Sequence, residues 1–458
     1  MRKIVTSVYF AVVLSCCLSA PIGIAGDAPS PGAKASTYAA AFERTTQLRD
    51  VGRQIFSDPS FSASGKQSCA SCHDPSRRYS PADARDVQPG GVDGLQLGFR
   101  APPTLTYLNR IPPYSNHYHD ADDEGDESID AGPTGGLTWD GRVDRGDNQA
   151  KIPLLSAFEM ASSVAGVAHA IRATPYAATL RKALGTNALD ADNDAFNAVV
   201  HALGVFEQDY DEFNPYTSKY DAWLTGHATL NAREQRGLKL FEDKSKGNCM
   251  QCHLSRRPLD ASAPAFSDYG LIALGVPRNR KIPRNTDASF HDLGACGPER
   301  ADKKGQAEFC GLFRTPTLRN VALRQTFFHN GSFHSLRDVV AFYVTRDITP
   351  ERWYPKRADG SVDVYDDLPP AYHANLNREP PFADQMPGAK ARLDTREIDD
   401  IVAFLGTLTD GYLKENPYRA ERRQLHAKPG AKPELIGQQE RGRVHLPRQR
   451  KEPDSVPF

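Results

Sequence analysis

Cys249-Met250-Gln251-Cys252-His253 is the stretch on which the reading of this chain turns, because Cys69-Ala70-Ser71-Cys72-His73 repeats its pattern in the first half. Cys-x-x-Cys-His is the attachment pattern of haem c. Two thiols three positions apart on one helical turn add to the two vinyl groups of a single haem, and the adjacent imidazole then meets the iron. Two other readings compete. A zinc site wants its Cys pairs within about 15–20 residues of each other, and a thioredoxin-like motif wants a βαβ setting. Neither explains a His after both pairs. The sequence therefore predicts two covalently bound haem c groups, one on Cys69, Cys72 and His73, the other on Cys249, Cys252 and His253.

Outward from the motifs the repeat continues. Gly52-Arg53-Gln54-Ile55-Phe56-Ser57-Asp58 leads to the first and Gly237-Leu238-Lys239-Leu240-Phe241-Glu242-Asp243 to the second, both fitting Gly-x-x-aliphatic-Phe-x-Asp. Pro103-Thr104-Leu105 is echoed by Pro316-Thr317-Leu318, and Trp139-Asp140-Gly141 by His329-Asn330-Gly331. This predicts an internal duplication and a mostly α fold of two cytochrome c-like haem domains, residues 38–225 and 226–415, with long irregular loops. Tyr38 to Phe56 reads as a helix. Phe196, Val199, Val200, Leu203 and Phe206 recur at helical spacing, as do Ile398, Ile401, Val402, Leu405 and Leu408. Asn231 with Glu234, and Asp394 with Glu397, make capping-box starts. Strand-like alternation is sparse, and 34 Pro and 35 Gly favour loops.

The length of 458 residues accommodates two such domains. A net charge of −1, from 56 basic and 57 acidic residues, argues against a nucleic-acid partner. Arg2 and Lys3 precede the apolar run Val8 to Leu14, so residues 1–25 read as a secretory signal peptide and the product as periplasmic. No later run is long enough to span a bilayer. Cys16 and Cys17 fall in the removed segment, unless Val13-Leu14-Ser15-Cys16 serves as a lipoprotein site. Cys296 and Cys310 are left over and read as a disulfide closing a short loop, worth about 3 kcal/mol on the chain-entropy account. Tyr114 to Asp130 reads as an acidic, solvated insertion, with His117 and His119 as surface residues. Residues 418–458 have the basic, apolar-poor composition of a disordered tail.

What each iron does depends on the ligand opposite its motif His. Met is the usual one in electron-transfer cytochromes. Here only Met160 and Met386 lie outside the signal peptide and the attachment motifs, which leaves His or Tyr open as well.

Gly311-Leu312-Phe313-Arg314-Thr315-Pro316-Thr317-Leu318-Arg319-Asn320, then Phe328-His329-Asn330-Gly331-Ser332-Phe333, then Val339-Val340-Ala341-Phe342-Tyr343 closely resembles the second half of the bacterial dihaem cytochrome c peroxidase/MauG family. With both haem motifs, Trp139 to Arg142, Phe158-Glu159-Met160 and Thr407-Leu408-Thr409, the resemblance covers most of residues 45–412. It implies an exported oxidoreductase that reduces hydrogen peroxide at the N-terminal haem. Electrons would be relayed through the C-terminal haem from a small cytochrome c or cupredoxin, or from a protein substrate. Tyr343 stands where peroxidase members carry a Met ligand and MauG a Tyr. A phenolate is a hard anionic donor favouring high iron oxidation states; the plainer reading is an aromatic packed on the haem edge. Glu159 matches the distal acid/base, with Gln149 and Pro153 beside it, and Trp139 the aromatic between the haems. A surface carboxylate and a structural Trp are the plain alternatives. No His lies between His73 and Pro103, so the N-terminal haem is expected to keep an open or water-filled site. His329 is expected at a haem propionate or at the seam between halves. The family's calcium positions read Ala101, Arg324 and Thr326, which disfavours calcium. The position two before the second motif, Trp in MauG, is Gly247, so the same protein substrate is not implied. The competing function is a pure electron-transfer or redox-sensing cytochrome with two six-coordinate irons.

Overall fold

In the computed structural model the helices bury apolar residues, some opened by a side-chain cap and others without one. The structure describes residues 31–118, 132–258, 261–382 and 386–419. Residues 1–25, read from sequence as a signal peptide, His119 and most of the acidic insertion lie outside them. Helix α1 runs Pro31–Ser57; its residues up to Thr46 belong to one compact unit, and the chain from Gln47 onward makes up the other, which carries both haem motifs. Along this second unit come α2 (Gly146–Leu155), α3 (Val164–Ala173), α4 (Asp192–Phe206), α5 (Ala232–Glu242), α6 (Leu336–Thr345) and α7 (Thr395–Gly406). Among the described residues, strand structure is confined to two small antiparallel pairs, β1 (Pro89–Gly90) with β2 (Gln96–Leu97) and β3 (Leu271–Ile272) with β4 (Phe313–Arg314). The fold is mostly α, as expected, and no described helix is long and apolar enough to cross a membrane.

Both capping boxes form. Asn231 accepts from the Arg233 and Glu234 amides, and Asp394 from those of Arg396 and Glu397, each cap worth about 1 kcal/mol. The α4 stripe Phe196, Val199, Val200, Leu203 and Phe206 is buried. Cys296 and Cys310 are bridged.

The two Gly-x-x-aliphatic-Phe-x-Asp stretches do the same work. At Gly52, α1 crosses α4 so closely that an added Cβ would lie 2.1 Å from the Ala202 carbonyl oxygen; at Gly237, α5 crosses α7 with 2.0 Å to the Asp400 oxygen. The Phe four residues on then packs edge-on against the partner helix: Phe56 on Phe206 at 5.5 Å, and Phe241 on Phe404 at 5.2 Å between centroids. Glycine is required because the backbones touch.

One apolar core draws on residues between Leu48 and Phe213, the other on residues between Tyr220 and Leu408. Two boundaries differ from the sequence reading. The short helix Lys219–Leu224, expected in the first domain, packs Tyr220 against Phe266 and Phe404 of the second core. Tyr418, expected to open the disordered tail, is buried and donates its hydroxyl to Asp221 at 2.9 Å; residues 420–458 lie outside the described chain.

Candidate functional site

Each Cys-x-x-Cys-His stretch folds as one tight turn, Cys69–Cys72 as α and Cys249–Gln251 as 3-10. In both, the His amide donates to the first Cys carbonyl at 2.9 Å, which stacks the imidazole under the two thiols. All four motif thiols are free, and burial pushes Cys72, Cys249 and Cys252 up to about 12. His73 Nδ1 faces the Tyr79 carbonyl at 3.4 Å and His253 Nδ1 the Phe266 carbonyl at 3.0 Å. Burial also pushes both imidazoles down to about 4. At neutral pH each ring is therefore neutral, with Nδ1–H held by a carbonyl and the Nε2 lone pair free for a metal.

Each turn opens onto its own cavity. The first is lined by Cys69, Cys72 and His73 together with Gln149, Pro153 and Glu159. The second is lined by Cys249, Cys252, His253 and Tyr343. Trp139 lines both. Among the described residues no three His, Cys, Asp or Glu side chains converge to cage a metal ion. Two thiols and one imidazole on a single turn facing a slot are instead the donor set of a covalent haem, and the residues fit two such groups.

Glu159 is held by the turn that ends α2, where its amide donates to Ser156 and its carbonyl accepts from Gly91. Its Oε2 is buried with no hydrogen-bond partner among the described residues. Burial pushes the carboxyl up to about 7, with Arg142 pulling it down and Glu299 pushing it up. Pro153, inside α2, lacks the amide that would bond the Gln149 carbonyl. Trp139 is buried and donates Nε1 to the Ala101 carbonyl at 2.7 Å. Its own carbonyl accepts from Arg314, so the ring is fixed from both halves. Tyr343 projects from α6 into the second cavity, among Phe328, Phe342 and Phe382, and burial raises its hydroxyl pKa, the neighbouring Cys252 and Cys249 adding to the effect. Met386 is 71 % exposed, and Met160 is buried on the wall of the first cavity.

These two cavities, bridged by one Trp, have close counterparts. Residues 46–229 match the di-haem cytochrome c peroxidase family. The chain is 32 % identical over 375 residues to the methylamine utilization protein MauG of Paracoccus denitrificans, covering 79 % of this chain and 88 % of that one. The chain belongs to the bacterial dihaem cytochrome c peroxidase/MauG family. It is also 27 % identical over 299 residues to cytochrome c551 peroxidase of Pseudomonas aeruginosa, covering 64 % of this chain and 71 % of the relative. The crystal structure of the diheme peroxidase BthA from Burkholderia thailandensis superposes with a TM-score of 0.70 at 37 % identity, over 80 % of this chain and 86 % of that one. The protein is thus a dihaem oxidoreductase of this family.

Within the family, this chain has its own features. Arg324 donates Nε to the Thr326 carbonyl and Nη2 to the Pro102 carbonyl, both at 3.1 Å. A buried guanidinium thus stands among the residues expected to hold calcium in relatives. An added Cβ on Gly247 would lie 2.7 Å from the Leu240 carbonyl, so an aromatic does not fit there without moving backbone. His329 stacks on Phe313 at 3.6 Å and accepts the Ala101 amide through its carbonyl, at the seam between halves.

Two acids on the first cavity went unread in the sequence. Glu207 follows α4, and burial pushes it up to about 8; its position four residues after the buried Leu203 was the available signal, since i and i+4 share a helix face. Glu299 arrives from the disulfide loop of the second half, and no local pattern marks it.

Proposed function

We propose that the protein is an exported, periplasmic dihaem c-type oxidoreductase that reduces hydrogen peroxide in the first cavity, using electrons that enter at the second. The observation that carries this is the orphaned, buried Glu159 carboxyl on the cavity of the His73 turn, where no second His is among the described lining residues. Bound haem, thioether-linked at Cys69/Cys72 and Cys249/Cys252 and ligated by His73 and His253, would supply the redox-active iron. Glu159 takes a proton from bound peroxide and returns it to the departing hydroxyl, which leaves as water. Gln149 and the Pro153 turn of α2 hold peroxide against Glu159. The balance is hydrogen peroxide plus two electrons plus two protons giving two waters, the electrons coming from a small cytochrome c or cupredoxin, or from a side chain of a protein substrate. Trp139, fixed between the cavities, carries the charge. His253 and Tyr343, both on the second cavity, would hold its iron between them. The matched Gly52/Phe56 and Gly237/Phe241 crossings support descent of both halves from one haem module. Arg324, donating to the Thr326 and Pro102 carbonyls, disfavours calcium at that place.

The test adds peroxide to the haem-loaded, diferric protein in the presence of reduced small cytochrome c or cupredoxin. Two donor equivalents oxidised per peroxide are expected, and no oxidation above background would leave only an electron-transfer cytochrome. A parallel Tyr343→Phe sample should show an altered spectrum for the second haem alone; an unaltered spectrum removes Tyr343 as a ligand.

A further inference from the structure

The loop closed by Cys296–Cys310 belongs to the second half in sequence, yet it reaches the first cavity, where Glu299 is part of the lining. Arg300 anchors it. Its Nη1 donates to the Asp140 carbonyl at 2.8 Å, and its guanidinium lies 3.7 Å from the centre of the Tyr114 ring. Arg142 then spans two acids, with Nη1 2.8 Å from Asp140 Oδ2 and Nη2 3.6 Å from Glu299 Oε2. Arg142 is 15 % and Glu299 30 % exposed, while Glu159 Oε2 is buried and unpartnered among the described residues. A buried guanidinium with a free face would pull Glu159 into permanent ionisation; one already engaged by two carboxylates has less to offer.

We infer that Glu299 is a positioning residue for Glu159: by pairing with Arg142 on the cavity that all three line, it holds that guanidinium back from the Glu159 carboxyl. The inference rests on Glu159 being the proton acceptor for peroxide. The other charged or titratable groups around the cavity do not substitute for Glu299. Arg100 is committed to Asp140 and Asp292 at 2.7 Å each. Glu207 is desolvated, which disfavours its charged form. In the loaded protein Cys69 and Cys72 would be thioethers and His73 would be on the iron, so none of the three offers a charge to Arg142. Asp140 and Glu299 together offset Arg142, and since Asp140 is shared with Arg100, Glu299 is the acid of the two that answers Arg142 alone.

The experiment follows the Glu159 carboxyl band by infrared titration of the haem-loaded full chain, using Glu159→Gln to identify the band. It also records the pH dependence of the peroxide reaction in wild type and Glu299→Gln. Removing the Glu299 charge frees Arg142 toward Glu159, so the band's midpoint and the rate profile should both move to lower pH by about one unit. A Glu299→Gln midpoint equal to that of wild type overturns the role of Glu299 while leaving Glu159 in place. A rate profile that survives unchanged in Glu159→Gln overturns the reading of Glu159 itself, and the inference with it.

Discussion

Glu159→Gln should slow the reaction of the loaded protein with hydrogen peroxide by about 10²–10⁴-fold, the usual worth of a placed acid/base, while both haems stay attached. The amide keeps the shape and hydrogen-bonding reach of the carboxyl but cannot accept the proton. Attachment is unaffected because the thiols and imidazoles sit on separate turns, fixed by their own amide–carbonyl bonds. In the wild type the carboxyl stands at about 7, chiefly through burial. Since the base form is the active one, the rate should rise with pH through that region, and the Gln variant should lose the rise. Stopped-flow absorbance across pH 5–9 measures both; a Gln variant that keeps wild-type rates removes Glu159 from the mechanism.

Arg319→Met should destabilise the fold by about 3–5 kcal/mol, the typical consequence of stripping the partner from a buried charge. Arg319 and Asp221 both have fully buried side chains. They are joined twice, at 2.9 and 3.0 Å, and Arg319 Nε donates to the Pro264 carbonyl at 3.0 Å. The guanidinium also lies 5.0 Å from the Tyr107 ring and 4.7 Å from that of Tyr216, so the pair ties the first half to the second. Burial alone would raise the Asp221 pKa, but the Arg319 charge outweighs it and holds the carboxyl below its ordinary value. In the wild type this pair's contribution is present above the ordinary carboxylate range and lost only as pH falls through the depressed value. In the variant the carboxyl pKa rises above its unfolded value, so stability should instead decline as pH increases. Chemical denaturation at pH 5 and pH 8 reads that reversal. The double variant Arg319→Met/Asp221→Asn should recover part of the loss, because the orphaned charge is gone.

What could be read from sequence was what local spacing encodes. The Cys-x-x-Cys-His turns, the two capping boxes, the buried stripe of α4 and the leftover Cys296–Cys310 pair all have their partners within a few residues or by elimination. The repeated glycine before each motif was legible as a pattern, though its cause, a helix crossing at contact distance, appears only when α4 and α7 are in place. Other contacts have no sequence period. Arg100 joins Asp292 across 192 positions, Glu299 enters the cavity of the other half, and Tyr418 returns from the C-terminal side to cover Asp221. Their residues are ordinary polar positions until the fold brings them together. The charge environment of Glu159 is built almost wholly from such contacts. Sequence therefore pointed to the acid but not to what tunes it.

The central claim is that the two cavities are unequal, the one above His73 open for chemistry and the one facing Tyr343 closed. Electron paramagnetic resonance of the resting diferric protein, before and after one equivalent of hydrogen peroxide, tests it most directly. One high-spin and one low-spin ferric signal are expected, with the high-spin signal lost on adding peroxide. Two low-spin signals that peroxide leaves unchanged would contradict it.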